Sequence, residues 1–256
     1  MTYKTKLLSI TLLVNILIFT NAFAQNNRET EFNQIGWYAF FGNYKIDEKW
    51  SFHGEFQWRR VDWISSPQQN LYRVGVNYKT YPQVTFRLGY AFADTFNYGA
   101  QPIAANGFRF PEHRIYQMAL ISNPIGKALI SHRFMLEQRW VGRSLDPNAI
   151  KADESVFVNR IRYMFRTDLP LDGPTLEDME PYLSIYDEIL IGFGGNVNQN
   201  IFDQNRIGIL TGYRFSGNFR IEGGYFNQIV QFGRIVNGKN YFQNNQGLII
   251  NSFLNF

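Results

Sequence analysis

Hydrophobic and polar residues alternate along most of the chain from Ile35 onward, and residues 50–59 show the pattern most clearly. One side of this stretch is apolar and the other is polar: Trp50, Phe52, Gly54, Phe56 and Trp58 fall on the first side, and Ser51, His53, Glu55, Gln57 and Arg59 on the second. Successive side chains of an extended strand point to opposite faces, so a period of two indicates a strand and does not fit a helix. The same split recurs in 72–79, 84–93 and 206–215. We therefore expect antiparallel strands with one apolar and one polar face.

The alternation yields eleven strand candidates. They are 35–45, 50–61, 70–79, 84–93, 112–122, 128–141, 155–167, 181–193, 203–215, 219–232 and 241–256. Single-chain bacterial barrels have even strand numbers. The count becomes twelve if 26–34 adds a weak first strand, and ten if one candidate is a lid or a bent continuation. Twelve is favoured, because the alternation of turns and loops puts both termini on one side only if another strand precedes Ile35.

Short and long connections alternate between the predicted strands. The short ones are 46–49, 80–83, 123–127 and 216–218, and they are rich in turn-forming residues. The long ones are 62–69, 94–111, 142–154, 194–202 and 233–240. Short turns at one end and long loops at the other are typical of an outer-membrane-type barrel. The acidic segment 168–180 is an exception, because it is long where a short turn is due.

The polar face distinguishes a membrane barrel from a soluble one, because a membrane barrel turns its apolar face to lipid and keeps its polar face inside. Here the polar face is rich in arginine and glycine. The sequence therefore predicts an all-β fold, a single antiparallel transmembrane β-barrel of about ten to twelve strands. The candidate lumen-lining residues are Glu55, Arg59, Arg73, Arg87, Arg133, Glu137, Arg139, Arg160, Arg162, Glu188, Arg206, Arg214, Arg220 and Glu222. Glycines on this face, such as Gly208 and Gly212, are expected to make room for the long arginines.

The first residues predict export. Residues 1–24 combine Lys4 and Lys6 with a short apolar stretch and the pattern Ala22-Phe23-Ala24, the layout of a cleaved signal peptide. We therefore divide the chain into a signal peptide, 1–24, and a barrel domain, 25–256. Cleavage would remove two lysines and lower the net charge from +4 to +2. A nearly neutral chain with interspersed charges gives no reason to expect nucleic-acid binding.

Composition removes other classes of protein. A mean hydropathy of -0.27 leaves no room for several apolar helices that cross a membrane. The 24 Phe, 15 Tyr and 5 Trp argue against a disordered chain. The sequence contains no cysteine, which excludes a disulfide framework and a thiolate metal site.

The last residues fit assembly into an outer membrane. Leu248, Ile250, Leu254 and Phe256 continue the alternation to the final position. A terminal strand that ends in phenylalanine resembles the signal read by the barrel assembly machinery, so Phe256 is a candidate assembly signal. The predicted location is the outer membrane of a Gram-negative bacterium, and the predicted partners are outer-membrane lipid and the assembly machinery.

Candidate chemistry is sparse. The three histidines, His53, His113 and His132, are far apart in sequence, so a histidine metal site is not expected. His132 shares the face of Phe134, whereas Ser131 points the opposite way, so a catalytic serine would have to come from another strand. An aromatic-girdle position is the favoured interpretation of His132. Asp187 and Glu188 also point to opposite faces. Glu188 is expected to pair with an inward arginine, and Asp187 to lie near a strand end or a bulge. We predict no catalytic residue, no metal and no cofactor.

Several strand motifs are similar to those of the bacterial family called domain of unknown function 2490. They are Phe134-Met135-Leu136-Glu137-Gln138-Arg139, Arg160-Ile161-Arg162-Tyr163, Pro181-Tyr182 through Asp187-Glu188, Asn205-Arg206 and Gly224-Tyr225. The resemblance covers about Gly36 to Phe256. It implies an outer-membrane-type barrel without a known substrate, and it transfers no catalytic residues.

These observations predict a non-enzymatic outer-membrane barrel with an arginine-rich lumen. A lumen of this strand number is largely filled by its own side chains, so a wide porin is not expected. A narrow pore for anions and a barrel that binds an anion or another solute remain open, and the small-molecule ligand is unknown. The alternatives are an outer-membrane hydrolase or acyltransferase that modifies lipid, and a soluble exported barrel that binds a ligand.

Overall fold

The computed structural model describes residues 27–146 and 148–256, and the predicted signal peptide, 1–24, lies outside them. Eleven strands make up most of the described chain. They are β1 (Arg28–Lys45), β2 (Trp50–Val61), β3 (Ser66–Tyr81), β4 (Val84–Thr95), β5 (Phe110–Ile125), β6 (Ala128–Arg143), β7 (Glu154–Pro170), β8 (Glu180–Phe193), β9 (Phe202–Ser216), β10 (Phe219–Val236) and β11 (Lys239–Asn255). In the described residues, no helix is long and apolar enough to cross a membrane.

The strands form one closed barrel in which neighbours in sequence are neighbours in space. All consecutive strands pair antiparallel, and β1 and β11 close the barrel by parallel pairing, from Arg28 opposite Asn240 to Asn43 opposite Asn255. Parallel closure follows from the odd number of strands. When each strand reverses the direction of the one before it, the first and the eleventh run the same way.

Two predictions about the strands are wrong, one on their number and one on their pairing. The favoured count of twelve fails because residues 28–34 extend β1 and do not form a strand of their own. They pair with β11 in unbroken register with the rest of β1, so no turn separates them from Ile35. An entirely antiparallel barrel is wrong at the same place, since β1 and β11 are parallel.

The barrel has two distinct ends. The turn end carries the connections 46–49, 82–83, 126–127, 171–179 and 217–218, and the loop end carries 62–65, 96–109, 144–153, 194–201 and 237–238. The predicted long loops 62–69 and 233–240 are wrong, because β3 begins at Ser66 and β10 continues to Val236. Asn237 and Gly238 both have positive φ, 50° and 77°, as a two-residue hairpin turn of the primed type requires.

Every strand has one outward and one inward face. On β2, Trp58 is exposed on the outside, whereas the adjacent Arg59 is buried inside. The inward glycines make room for long side chains, and at Gly208 and Gly212 these are tyrosines. A Cβ atom at Gly208 or Gly212 would clash with the ring of Tyr186 or Tyr182, its neighbour on the adjacent strand. At Gly75, an added Cβ would lie 3.1 Å from Arg87 Cδ.

Candidate functional site

A lattice of ion pairs fills the middle of the lumen around Glu137 on β6. Its carboxylate is fully buried and lies 2.6 Å from Arg160 Nη2 and 3.0 Å from Arg162 Nη1. Guanidinium nitrogens of Arg73 and Arg114 lie 3.8 Å away. Four strands, β3, β5, β6 and β7, therefore converge on one carboxylate.

Two further carboxylates continue the lattice. Glu188 accepts hydrogen bonds of 2.7 Å from Arg133 and 2.7 Å from Arg162, and Arg206 Nη1 lies 3.4 Å away. Glu222 on β10 accepts two from Arg166 on β7 and one from Tyr182. β8 and β9 separate β7 from β10 in the sheet, so the Arg166–Glu222 pair bridges the interior of the barrel.

The other predicted lumen residues are placed as follows. Arg73 donates to Glu55 at 2.7 Å, Arg87 donates to Asn77 at 2.6 Å, and Arg139 donates to Glu112. Arg214 and Arg220 lie at the turn end, where Arg214 binds the 171–179 segment through Leu176 O and Asp178, and Arg220 lies over the Phe253 ring. Arg214 therefore binds the acidic connection, whose length does not fit the pattern of short turns.

Sequence reasoning missed several inward groups. Glu112 and Arg114 share the inward face of β5 and bond to each other, with 2.7 Å between Arg114 Nε and Glu112 Oε1. Asp203, near the start of β9, pairs with Arg160. Period-two alternation through Tyr116 would have identified the first two. Asp203 breaks the alternation, because the pairing of β8 with β9 skips it at a register shift, with Leu190 opposite Gln204 and Ile191 opposite Phe202.

A cavity of about 580 Å³ opens at the loop end, and we call it the vestibule. The 96–109 loop reaches across its mouth from β4 to the opposite wall. Tyr98 is buried and its hydroxyl accepts a hydrogen bond of 3.0 Å from Asn245 on β11, while Arg234 on β10 donates to Pro102 O. Burial raises the pKa of Tyr98 to about 12.

A second cavity, about 340 Å³, lies at the turn end and shares no lining residue with the vestibule. The Glu137 and Glu222 pairs lie between them. A layer of bonded, buried side chains therefore lies between the two cavities.

The vestibule contains two arginines beside one tryptophan. The Arg59 guanidinium lies 3.8 Å from the ring centroid of Trp37, and that of Arg206 lies 5.1 Å from it. Trp37 Nε1 donates a hydrogen bond of 2.6 Å to Gln68. Arginine over an aromatic face is an attractive arrangement that holds the charged group in a defined position.

Groups considered for catalysis lie elsewhere. His132 Nδ1 lies 2.8 Å from Tyr163 OH on the outer face, and Ser131 faces inward within 2.8 Å of Ser122 Oγ. His113 is also on the outer face, 2.5 Å from Tyr90 OH, while His53 is buried inside beside Glu55. Among the described residues, no three His, Cys, Asp or Glu side chains are grouped to hold a metal ion.

Two remaining predictions concern outward residues. Asp187 lies in the middle of β8 and accepts a hydrogen bond of 2.6 Å from Asn205, so the expected strand end or bulge at this residue is wrong. Phe256 follows β11 at the turn end, where its backbone bonds to Asn43 and Lys45 of β1 and its ring is exposed.

The fold and the packed interior define a closed, up-and-down β-barrel with a charged lumen. The chain belongs to the family described as Protein of unknown function (DUF2490), which matches residues 34–237. The match includes most of β1 and all of β2 to β10. No curated protein matches the chain.

Proposed function

We propose that the protein is a non-enzymatic outer-membrane β-barrel with a closed lumen, which binds a small solute in the vestibule. The single observation that carries this proposal is the exposure of large apolar side chains all around the outside. Leu88 is 61% exposed, Val74 59% and Ile209 48%, although all three lie within strands. A soluble monomer rarely exposes a contiguous apolar surface of this extent, whereas lipid would cover it.

The outward aromatic residues support the same interpretation. Near the turn end, Trp50 packs against Tyr78 with ring centroids 4.6 Å apart. Near the loop end, Trp140 packs against Phe157 at 5.2 Å. Aromatic girdles at both lipid boundaries are a property of membrane barrels. The predicted export signal, 1–24, and the candidate assembly signal Phe256 belong to this proposal.

The interior favours binding over conduction. Ion pairs such as Arg166–Glu222 bridge the lumen, and Arg160, Glu137 and Glu222 are each at most 1% exposed. Ions could pass only if several buried charge-assisted hydrogen bonds opened. The vestibule, by contrast, has a volume typical of a small-molecule site.

Cell fractionation and gel migration test the membrane location. We expect the protein in the outer-membrane fraction, released only by detergent, with a compact band that shifts after boiling. Release by osmotic shock without detergent would overturn the proposal and favour the soluble exported barrel. Phospholipid cleavage by purified protein, abolished in His132→Ala, would favour the lipid-modifying enzyme.

A further inference from the structure

The walls of the vestibule change from apolar to charged with depth. On four strands, apolar residues line the cavity below its mouth, with Arg143 on β6 and Arg234 on β10 still nearer the loop end. The apolar residues are Phe110 on β5, Val141 on β6, Val156 and Val158 on β7, and Val230 and Phe232 on β10. Deeper along the same strands come Arg114, Arg139, Arg160 and Gln228. The cavity therefore offers an apolar neck above a polar floor.

Arg59 on the floor has no counter-charge within ion-pair distance. It is 5% exposed, and among the described residues no carboxylate lies within 4.0 Å of it. Its hydrogen bonds go to amide oxygens instead, 2.9 Å to Gln57 Oε1 and 2.6 Å to Gln69 Oε1. Amide oxygens satisfy the donors of a guanidinium but leave its positive charge in place.

Arg206, which also lies beside Trp37, is weakly compensated as well. Its nearest carboxylate, Glu188, lies 3.4 Å away and is shared with Arg133 and Arg162, which bind it at 2.7 Å. Two hydrogen bonds from Arg206 go to Gln204 Oε1. Arg160, by comparison, lies directly between Glu137 and Asp203.

An uncompensated buried charge is costly, because removing an ion from water costs several kcal/mol unless another group replaces the solvent. A bound anion would supply that replacement. Two further groups that line the vestibule, Asn200 Oδ1 and Arg234 Nε, are buried without a hydrogen-bond partner among the described residues. Arg234 Nε is a donor for an anionic group, whereas Asn200 Oδ1 is an acceptor and contacts only a donor such as a hydroxyl group or water.

We propose that the vestibule binds a water-soluble amphipathic anion, with its carboxylate or similar head group at Arg59 and Arg206 on the floor and its apolar body in the neck. This inference rests on the proposed function and specifies the solute. Loop residues such as Asn106, Ser144 and Asn198 line the mouth, so the ligand enters from water and not from lipid.

Calorimetric titration of the detergent-folded protein tests the proposal, with folding checked by the compact unboiled band. The probes are phenylpropionate, phenylpropanol, phenylpropylammonium and acetate. We expect phenylpropionate to bind at least about tenfold more tightly than the other three, because only it combines an anionic head with an apolar body. Losing a hydrogen bond to a charged group typically costs about tenfold in affinity or more.

The matched variants are Arg59→Gln and Arg87→Gln. Arg87 also points inward and has no carboxylate within 4.0 Å among the described residues, but it does not line the vestibule. We expect about a tenfold or greater loss of phenylpropionate affinity in Arg59→Gln, a smaller loss in Arg59→Lys, and none in Arg87→Gln.

Three results would overturn the inference. Equal binding of phenylpropionate and phenylpropanol would show that charge is not recognised, and it would leave solute binding by the vestibule intact. An equal effect of Arg59→Gln and Arg87→Gln would show that the floor is not the site. If none of the probes bound to folded protein, this inference and the solute-binding part of the proposed function would both fail, and the membrane location would stand.

Discussion

The inner and outer faces of the barrel are built from the same strands but are stabilised in different ways. Inside, buried charges are held by partners on other strands, as Glu137 is by Arg160 and Arg162. Outside, large apolar side chains such as Leu88 are exposed. On the inner face, charges such as that of Glu137 are therefore compensated within the protein, whereas the apolar outer face is stable in water only if lipid or another apolar surface covers it. The following predictions test that contrast in order of expected effect.

Removing the central carboxylate should have the largest effect. Glu137→Ala takes from Arg160 and Arg162 one of the two carboxylates that each contacts, leaving Arg160 with Asp203 and Arg162 with Glu188. Breaking buried pairs in this way costs about 3–5 kcal/mol. Urea unfolding of the protein in lipid vesicles measures the loss in free energy of unfolding.

The control is Glu154→Ala on the same pair of strands. Glu154 pairs with Arg143 at 2.6 Å, but both side chains are at least 40% exposed. An exposed pair contributes about 0–1 kcal/mol. Equal destabilisation by the two variants would contradict the structural role of the inner lattice.

A charge placed on the outer face should have the next largest effect. Leu88→Arg puts a guanidinium in the middle of β4, where lipid contact would make it cost about 2–4 kcal/mol. Ile150→Arg, in the 144–153 loop, should change the free energy of unfolding by less than about 0.5 kcal/mol. Folding yield into vesicles and urea unfolding measure both. A neutral or stabilising Leu88→Arg would indicate a water-exposed surface and contradict the membrane proposal.

Filling the space above an inward glycine should cost less. Gly212→Ala would drive a methyl group into the Tyr182 ring and disturb its 2.9 Å bond to Glu222. Overpacking of this kind costs about 1–3 kcal/mol. Gly54→Ala is the control, because nothing lies within 4 Å of its added Cβ. The same unfolding assay should place Gly54→Ala near the unsubstituted protein, and a reversed order would contradict the tight packing of the inner face.

The smallest effect concerns the loop that covers the vestibule. Burial raises the pKa of Tyr98 from 10.0 to about 12. Between pH 10 and 12, the phenol is therefore neutral while the loop is docked and ionised when the loop is released. Docking should therefore be unaffected below pH 10 and weaken as the pH rises from 10 to 12. Tyr98→Phe removes the bond from Asn245, at a cost of about 0.5–1.5 kcal/mol, and removes this pH dependence.

A fluorophore on Ala105→Cys would report the mobility of this loop, since the chain has no other cysteine. Anisotropy should fall between pH 10 and 12 and fall less in the Tyr98→Phe background. The same midpoint and the same amplitude in both backgrounds would show that Tyr98 does not control docking.

Alternation predicted the strand interiors and the two faces of most strands. It could not predict the direction of Trp37, because residues 35–42 are apolar or small on both parities. The register of β1 with β11, which buries Trp37 inside, depends on closure of the whole barrel. The Asn237-Gly238 turn was predictable, since this dipeptide favours a tight hairpin, but the polar residues around it suggested a loop.

The candidate site was less predictable than the fold. The parity of the strands identified inward arginines such as Arg59 and Arg160, but it could not say which of them has a carboxylate partner. That difference depends on contacts between strands far apart in sequence, such as Arg160 with Asp203. No periodic pattern in the sequence predicts the position of the 96–109 loop, because the loop docks through single contacts such as that of Tyr98 with Asn245.

Planar-bilayer recording tests most directly the central claim of a membrane barrel whose lumen is closed by its own ion pairs. The sample is protein folded in detergent, verified by its compact unboiled band and by its insertion into lipid vesicles. We predict insertion without steady single-channel conductance, because the Glu137 and Glu222 pairs separate the two ends of the lumen. Steady, anion-selective conductance steps from the same folded sample would contradict the closed lumen and favour the narrow pore.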